Sequence, residues 1–225
     1  MNPKNSQDDL RAASTAVTPG ATMEFGPATH EDIDGIIELM LRRPPAYWMR
    51  SHSAADLRIF LKYSVESSRS VILVARAEAE KNPAGYVFAI IDSARFWMGF
   101  ALGNPGLAFS IFWHRLLRLV ELRRKTRNIT GADGAAAGLP VFSWSPSGPG
   151  QARIIGLYVR QEHHAKGVAM DLYFNLFDVL REKGCEQVEE YAAPNYADFA
   201  GKFPKLCGWN LEACACGGYK ISRAL

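Results

Sequence analysis

"IIGLYVRQEHHAKGVAMDLYFNLFDVLREKG" occupies residues 154–184. With Ala152 and Arg153 in front, "ARIIGLYV" (152–159) reads as a strand. A short polar loop follows, holding two histidines, a lysine and one glycine. Val168, Leu172, Leu176, Val179 and Leu180 then fall on one helical stripe. Lys183 and Gly184 close it, with glycine where a left-handed C′ residue belongs. A helix starting near Val168 leaves the N–H groups of its first turn unpaired, and they and the helix dipole favour an anion. Gly167 and Ala169 are small enough for a ligand to approach the backbone, and Lys166 adds a cation. A phosphate or pyrophosphate is the natural ligand. Taken alone, the stretch also fits an ordinary strand-to-helix connection. It is not a P-loop, because Lys166 precedes the glycine and no GK[ST] follows. It is not a dinucleotide fingerprint, because it has one glycine.

Towards the C-terminus, "CEQVEEYA" (185–192) is a strand, charged for a central position. "PNYADFAGKFPKLCG" (194–208) reads as a turn and a short helix, and "WNLEACACGGYKISRAL" (209–225) as two strands around Gly217-Gly218. Towards the N-terminus, "MEFGPA" (23–28) is extended. Thr29 with Asp32 resembles a capping box before a helix whose stripe is Ile33, Ile36, Ile37, Met40 and Leu41, stopped by Pro44-Pro45. Ser53 with Asp56 caps a second helix, with Leu57, Phe60, Leu61 and Ser64 on one face. "SVILVARA" (70–77) and "AGYVFAIID" (84–92), joined by "EAEKNP", form an antiparallel hairpin. The chain is therefore α/β with a mixed sheet.

The 225 residues are 48% hydrophobic and 22% charged, which suits one domain with a sizeable core. The net charge of +3 suits an anionic cofactor or a membrane surface without demanding nucleic acid. Residues 1–22 are polar and small, lack the apolar run of a secretion signal and read as a disordered tail, so a cytoplasmic chain with reduced thiols is expected. Cys214 and Cys216 would share one face of a strand but lack two further ligands at metal spacing, so no metal is expected.

The segment 93–150 interrupts the rhythm. It is aromatic and apolar, then basic, and Asn104-Pro105-Gly106 divides it into a helix pair rather than a membrane span. "GADGAAAGLP" and "SPSGPGQ" read as flexible linkers. Phe109, Phe112, Trp113, Leu116, Leu117 and Val120 lie among Arg115, Arg118, Arg123, Arg124 and Lys125. Two readings stay open: a helix that caps an acceptor site, and peripheral contact through residues 94–127 with the inner membrane surface.

Taken together, loop and context resemble motif A of the GCN5-related N-acetyltransferase (GNAT) superfamily. That motif is a strand ending in valine, Arg/Gln-x-x-Gly-x-Gly/Ala, and a helix. Here it runs His164-Ala165-Lys166-Gly167-Val168-Ala169. "ATHEDIDGIIELM" resembles the family's first helix and "NYADFAGKFPKLCGW" its later motif. The resemblance covers 23–92 and 151–225. It implies a mixed, mostly antiparallel central sheet flanked by helices over residues 23–225, with 93–150 as a helical and linker insertion between the third and fourth strands.

It also implies that acetyl-CoA, or another acyl-CoA, serves as acyl donor. The pyrophosphate would lie on residues 164–169, with Asn195 also at the cofactor. The pantetheine would run beside Leu157, Tyr158 and Val159 where the fourth and fifth strands splay. A backbone N–H near Tyr158 or Val159 would polarise the thioester, and a small-molecule amine would attack directly. His164 stands at the family's arginine or glutamine, and His163 at a packing position. Where many members carry a tyrosine acid, this chain has Phe203 or Pro204, with Tyr196 nearby on another turn. Glu189, Glu190 and Tyr191 are candidates for a base, Glu190 first. Two other readings remain: a non-catalytic acyl-CoA-binding module and a membrane-surface protein. No nucleic-acid partner is expected, and a homodimer is left open.

Overall fold

The computed structural model describes residues 23–42, 52–78, 80, 82–114, 116–117, 147–164, 166–192, 209–213 and 219–225. Strand β1 (Met23–Pro27) leads through a 3-10 turn (His30–Asp32) into α1 (Ile33–Arg42). Helix α2 (Ala54–Glu66) is followed by β2 (Ser70–Ala77), β3 (Gly85–Ile91) and α3 (Ser93–Gly103). A further helix, α4, covers 105–114 and continues at 116–117. Then come β4 (Gln151–Val159), a 3-10 turn (Gln161–His163), α5 (Val168–Glu182), β5 (Gln187–Ala192), β6 (Asn210–Ala213) and β7 (Tyr219–Ala224).

Among the described residues, seven strands make one sheet in the order β1-β2-β3-β4-β5-β7-β6. Every neighbouring pair is antiparallel except β4 and β5, which run parallel because α5 carries the chain back across the sheet. Helix α5 lies on one face, where Leu172, Leu176, Phe177 and Leu180 pack on Leu73, Val87, Ala152, Ile154 and Val188. Helices α1, α2 and α3 cover the other, where Ile36, Met40, Phe60, Leu61, Phe96 and Phe100 meet Ile72, Val74, Phe88 and Ile90. Both sides of β2 and β3 are covered, which is why these strands read as continuous apolar runs.

The sequence signals for helix ends hold. Thr29 and Asp32 close one capping box and Ser53 and Asp56 another. The predicted face of α2 (Leu57, Phe60, Leu61 and Ser64) is its buried set. In α1 the stripe is misplaced at one edge: Leu41 is exposed and Leu39 is fully buried. The two leucines flank the stripe on opposite sides. Pro83 of the β2–β3 turn lies against Gly35 and covers the Leu39 flank.

The insertion is not a separate appendage at its start. Phe96 and Phe100 of α3 are fully buried and meet Phe60 and Tyr63 of α2 edge to face. Asn104 breaks the helix and Pro105 opens α4, as the sequence break predicts. The stretch "SPSGPGQ" also behaves differently from a flexible linker in its described part. Ser147 is buried, and Ser93 and Ser147 each donate a backbone N–H to the other's hydroxyl at 2.9 Å. The Glu186 N–H donates to the Gly150 carbonyl at 2.7 Å. This segment starts β4 and cannot swing freely, because its backbone groups are paired. "GADGAAAGLP", the segment 194–208, Cys207, Cys214 and Cys216 lie outside the described residues. No described helix is long and apolar enough to cross a membrane.

Candidate active site

The feature that makes a cleft is a mismatch between β4 and its neighbours. Phe88 pairs with Gly156, but Ala89 pairs with Ile154, so β4 carries one residue more than β3, at Ile155. The side chains record the same bulge. Before it, Ala152 and Ile154 pack on the α5 side; after it, Leu157 and Val159 do, while Ile155 and Tyr158 pack on the opposite core. A bulge bends its strand and increases the local twist. On the far side, β4 pairs with β5 over three rungs only, ending at Arg153↔Glu189. Beyond that rung β5 continues to Ala192 beside β7, and β4 continues to Val159 beside β3. The two central strands therefore part at the bulge. From Ile154 onward the β5-facing edge of β4 has no β5 ladder partner.

The end of β4 is fixed against β3. Gly85 lies so close that a Cβ there would meet the Tyr158 carbonyl oxygen at 2.8 Å and the Val159 Cα at 3.2 Å. The Arg160 N–H donates to the Ala84 carbonyl at 2.8 Å. After Arg160 the 3-10 turn buries His163, whose Nε2 lies 2.9 Å from Glu80; Arg160 Nη1 lies 3.3 Å from the other oxygen of that carboxylate. His163 is a packing residue, as expected, and is also tied to the β2–β3 turn.

His164 is exposed, and its Nε2 donates to the Val159 carbonyl at 2.8 Å. A carbonyl only accepts, so Nε2 carries the proton and the neutral ring leaves Nδ1 as an acceptor. With that bond made, Nδ1 of His164 can donate to a phosphate only in the imidazolium form. Lys166 is exposed and Gly167 adopts φ +78° at the N-cap, a conformation that disfavours any side chain. No side chain caps α5. A 15-residue helix thus begins beside a lysine with no side-chain cap, its Met170 N–H closing on the Gly167 carbonyl at 2.8 Å, and such a start suits an anion. Val168 is buried in the core and Ala169 is partly buried against it. Ala165 lies outside the described residues.

The charged strand β5 resolves into two carboxylates on opposite faces. Glu189 is buried between Arg153 of β4, at 3.3 Å, and Lys220 of β7, at 2.6 Å. It ties three strands together at the last closed rung and is spoken for structurally. Glu190 is the first β5 residue past that rung. It is partly buried on the α5 face, and Tyr173 of α5 donates to it at 2.6 Å. Burial raises its pKa to about 7, against the opposing pull of the Tyr173 hydroxyl. Tyr191 pairs with Lys220 along the backbone, and its side chain lies outside the described residues. Asn195, Tyr196, Phe203 and Pro204 also fall outside them. Among the described residues, no group of three His, Cys, Asp or Glu could hold a metal.

Tyr173 was not singled out by sequence reasoning. Its signal was a tyrosine next to Leu172 on the helix stripe, because a buried phenol needs a partner. Glu80 had no such signal.

The sheet thus carries a bulge and parts between its two parallel strands, and a helix with no side-chain cap follows β4. The sequence profile of the acetyltransferase (GNAT) family matches residues 33–209, and the chain belongs to that family. Solved structures agree on the fold at low identity. The PaiA N-acetyltransferase of Thermoplasma acidophilum, solved with coenzyme A, superposes with a TM-score of 0.53 at 13% identity, over 91% of this chain and 99% of that one. The ribosomal-protein-S18-alanine N-acetyltransferase of Escherichia coli gives 0.51 at 9%, over 90% and 94%. A spermidine N-acetyltransferase SpeG chimera from Vibrio cholerae and hSSAT gives 0.51 at 12%, over 89% and 95%. None of the curated proteins matches.

Proposed function

We propose that the chain transfers an acetyl group from acetyl-CoA to an amine of a small molecule, by direct attack within the cleft between β4 and β5. The observation that carries this reading is the position of Glu190. It follows the last β4–β5 rung directly, and burial pushes its carboxyl up to about 7.

The parts divide the work as follows. The start of α5 and Lys166 hold the pyrophosphate. The β4 edge from Leu157 to Val159 offers backbone groups to the pantetheine amides, and an N–H there polarises the thioester carbonyl. Glu190 takes the proton of the attacking amine, a role suited to a base with a pKa near the working pH. The nitrogen–carbon bond forms, the carbon–sulfur bond breaks and the thiolate leaves. A thiol with a pKa near 8.5 needs little help to depart. Tyr173 orients the carboxylate from behind.

The neighbours of this fold include a spermidine N-acetyltransferase chimera and a ribosomal-protein-S18-alanine N-acetyltransferase. They guide the choice of acceptors to test. Calorimetric titration with acetyl-CoA, with desulfo-CoA and ATP as controls, comes first. Micromolar binding that needs the pantetheine arm is expected. Thiol release is then followed with polyamines, amino sugars and an alanine peptide. No binding overturns the reading. Binding without turnover on any amine reduces the chain to an acyl-CoA-binding module.

A further inference from the structure

Helix α4 is amphipathic with its larger apolar side turned away from the protein. Ile111 is buried, and Leu107 and Ala108 pack on the core with it. Phe109, Phe112, Trp113, Leu116 and Leu117 recur at i, i+3, i+4, i+7 and i+8, so they form a second stripe roughly opposite the first. All five are exposed, Phe109 at 65% and Phe112 at 51%, and the Phe109 and Trp113 rings stack on each other rather than on the core. Helix α3 repeats the arrangement. Phe96 and Phe100 face inward, and Met98 and Leu102, on the opposite side, are 60% and 81% exposed. Single exposed apolar residues are ordinary, but two consecutive helices presenting Met, Leu, Phe and Trp outward call for an occupant.

Charge selects it. Residues 93–120 contain no aspartate or glutamate, and hold Arg95, Arg115 and Arg118. Arg95 is itself exposed and shares the buried Asp92 carboxylate with Arg69, each at 3.4 Å, so this cluster keeps a net positive charge. In sequence, residues 121–127 add Arg123, Arg124, Lys125 and Arg127 against the single acid Glu121. Two copies meeting here would each bring this basic sequence, with no acid between 93 and 120 to answer it. An anionic lipid surface takes both features at once, aromatic and leucine side chains at the acyl boundary and cations at the headgroups. We infer that the outer face of α3 and α4 docks on an anionic membrane surface. The helices lie in the interface and do not cross it. This inference is independent of the acyl-transfer reading.

The test is co-sedimentation of the full chain with vesicles. Binding is expected to phosphatidylcholine vesicles containing about one-third phosphatidylglycerol and not to phosphatidylcholine alone, with release as salt is raised. The double variant Phe112→Ser/Trp113→Ser should bind those vesicles about tenfold more weakly or worse, with an unchanged melting curve, because both side chains are exposed. Should that variant fail to fold, Phe109→Ser reads the same surface. No sedimentation with anionic vesicles overturns the inference, as does equal binding by the folded variants or equal binding to neutral lipid. A dimer by light scattering that the variants abolish, without vesicle binding, also overturns it and assigns the face to a second copy.

Discussion

At the scale of single residues, Glu190 carries the sharpest predictions. A base must be ionised to accept a proton. With its pKa at about 7, Glu190 is protonated below that pH, and turnover should rise through pH 7 and level above it. Glu190→Gln removes the base and should lower kcat by about 10² to 10³. Affinity for acetyl-CoA should stay within about twofold, because the proposed pyrophosphate site at the start of α5 is separate from Glu190. Tyr173→Phe removes the hydrogen bond that favours the ionised carboxylate. Its pH–rate limb should move to higher pH with a similar plateau. An unmoved limb, measured as kcat/KM against pH, would show that another group sets the profile. Gly167→Glu should nearly abolish acetyl-CoA binding by calorimetry. It puts a side chain at φ +78° and a carboxylate where the pyrophosphate is expected.

At the scale of elements, the cleft depends on how β4 is held, and Gly85 is the contact that permits it. In Gly85→Ala the new Cβ would press on the Tyr158 carbonyl, a backbone atom that yields only if β4 moves. A loss of about 1 to 3 kcal/mol in urea unfolding is expected. So is a larger fractional loss of acetyl-CoA affinity than an overpacked site far from the cleft would cause. The same strand shows what the sequence could reveal. The bounds of β2 and the starts of α2 and α5 were legible because periodicity, caps and the glycine are local signals. The bulge at Ile155 was not, because "ARIIGLYV" carries no residue that requires it; it arises from register against β3. The roles of Glu189 and Glu190 were likewise hidden. Adjacent residues on a strand point to opposite faces, and only the fold shows that one meets Arg153 and Lys220 while the other meets Tyr173. The turn into α5 was legible in its glycine, but the His164 bond to Val159 that fixes the tautomer was not.

At the scale of the whole molecule, two carboxyl groups pull stability in opposite directions with pH. For Asp32, burial works against ionisation, but the hydrogen bonds from Arg76 and Thr29 outweigh it and lower the pKa. A depressed carboxyl contributes stability above its unfolded value, about 3.8, and loses it as pH falls through the folded value. Asp32→Asn should therefore cost about 1 to 3 kcal/mol at pH 7 and progressively less in acid. Glu190 behaves in reverse. Between its unfolded value near 4.5 and about 7, the folded state keeps a proton that the unfolded chain releases. Stability from this group falls as pH rises through that window, and above it the fold carries a partly buried carboxylate at a standing cost. Glu190→Gln keeps the shape and an acceptor for Tyr173 without the charge. Its melting temperature should match the wild type near pH 4.5 and exceed it above pH 7, by the equivalent of about 1 to 3 kcal/mol. A variant that is inactive yet more stable at neutral pH would mark Glu190 as a group retained for chemistry. Equal melting temperatures across the whole range would mean that the carboxylate is solvated, and the base would then have to be sought elsewhere on β5.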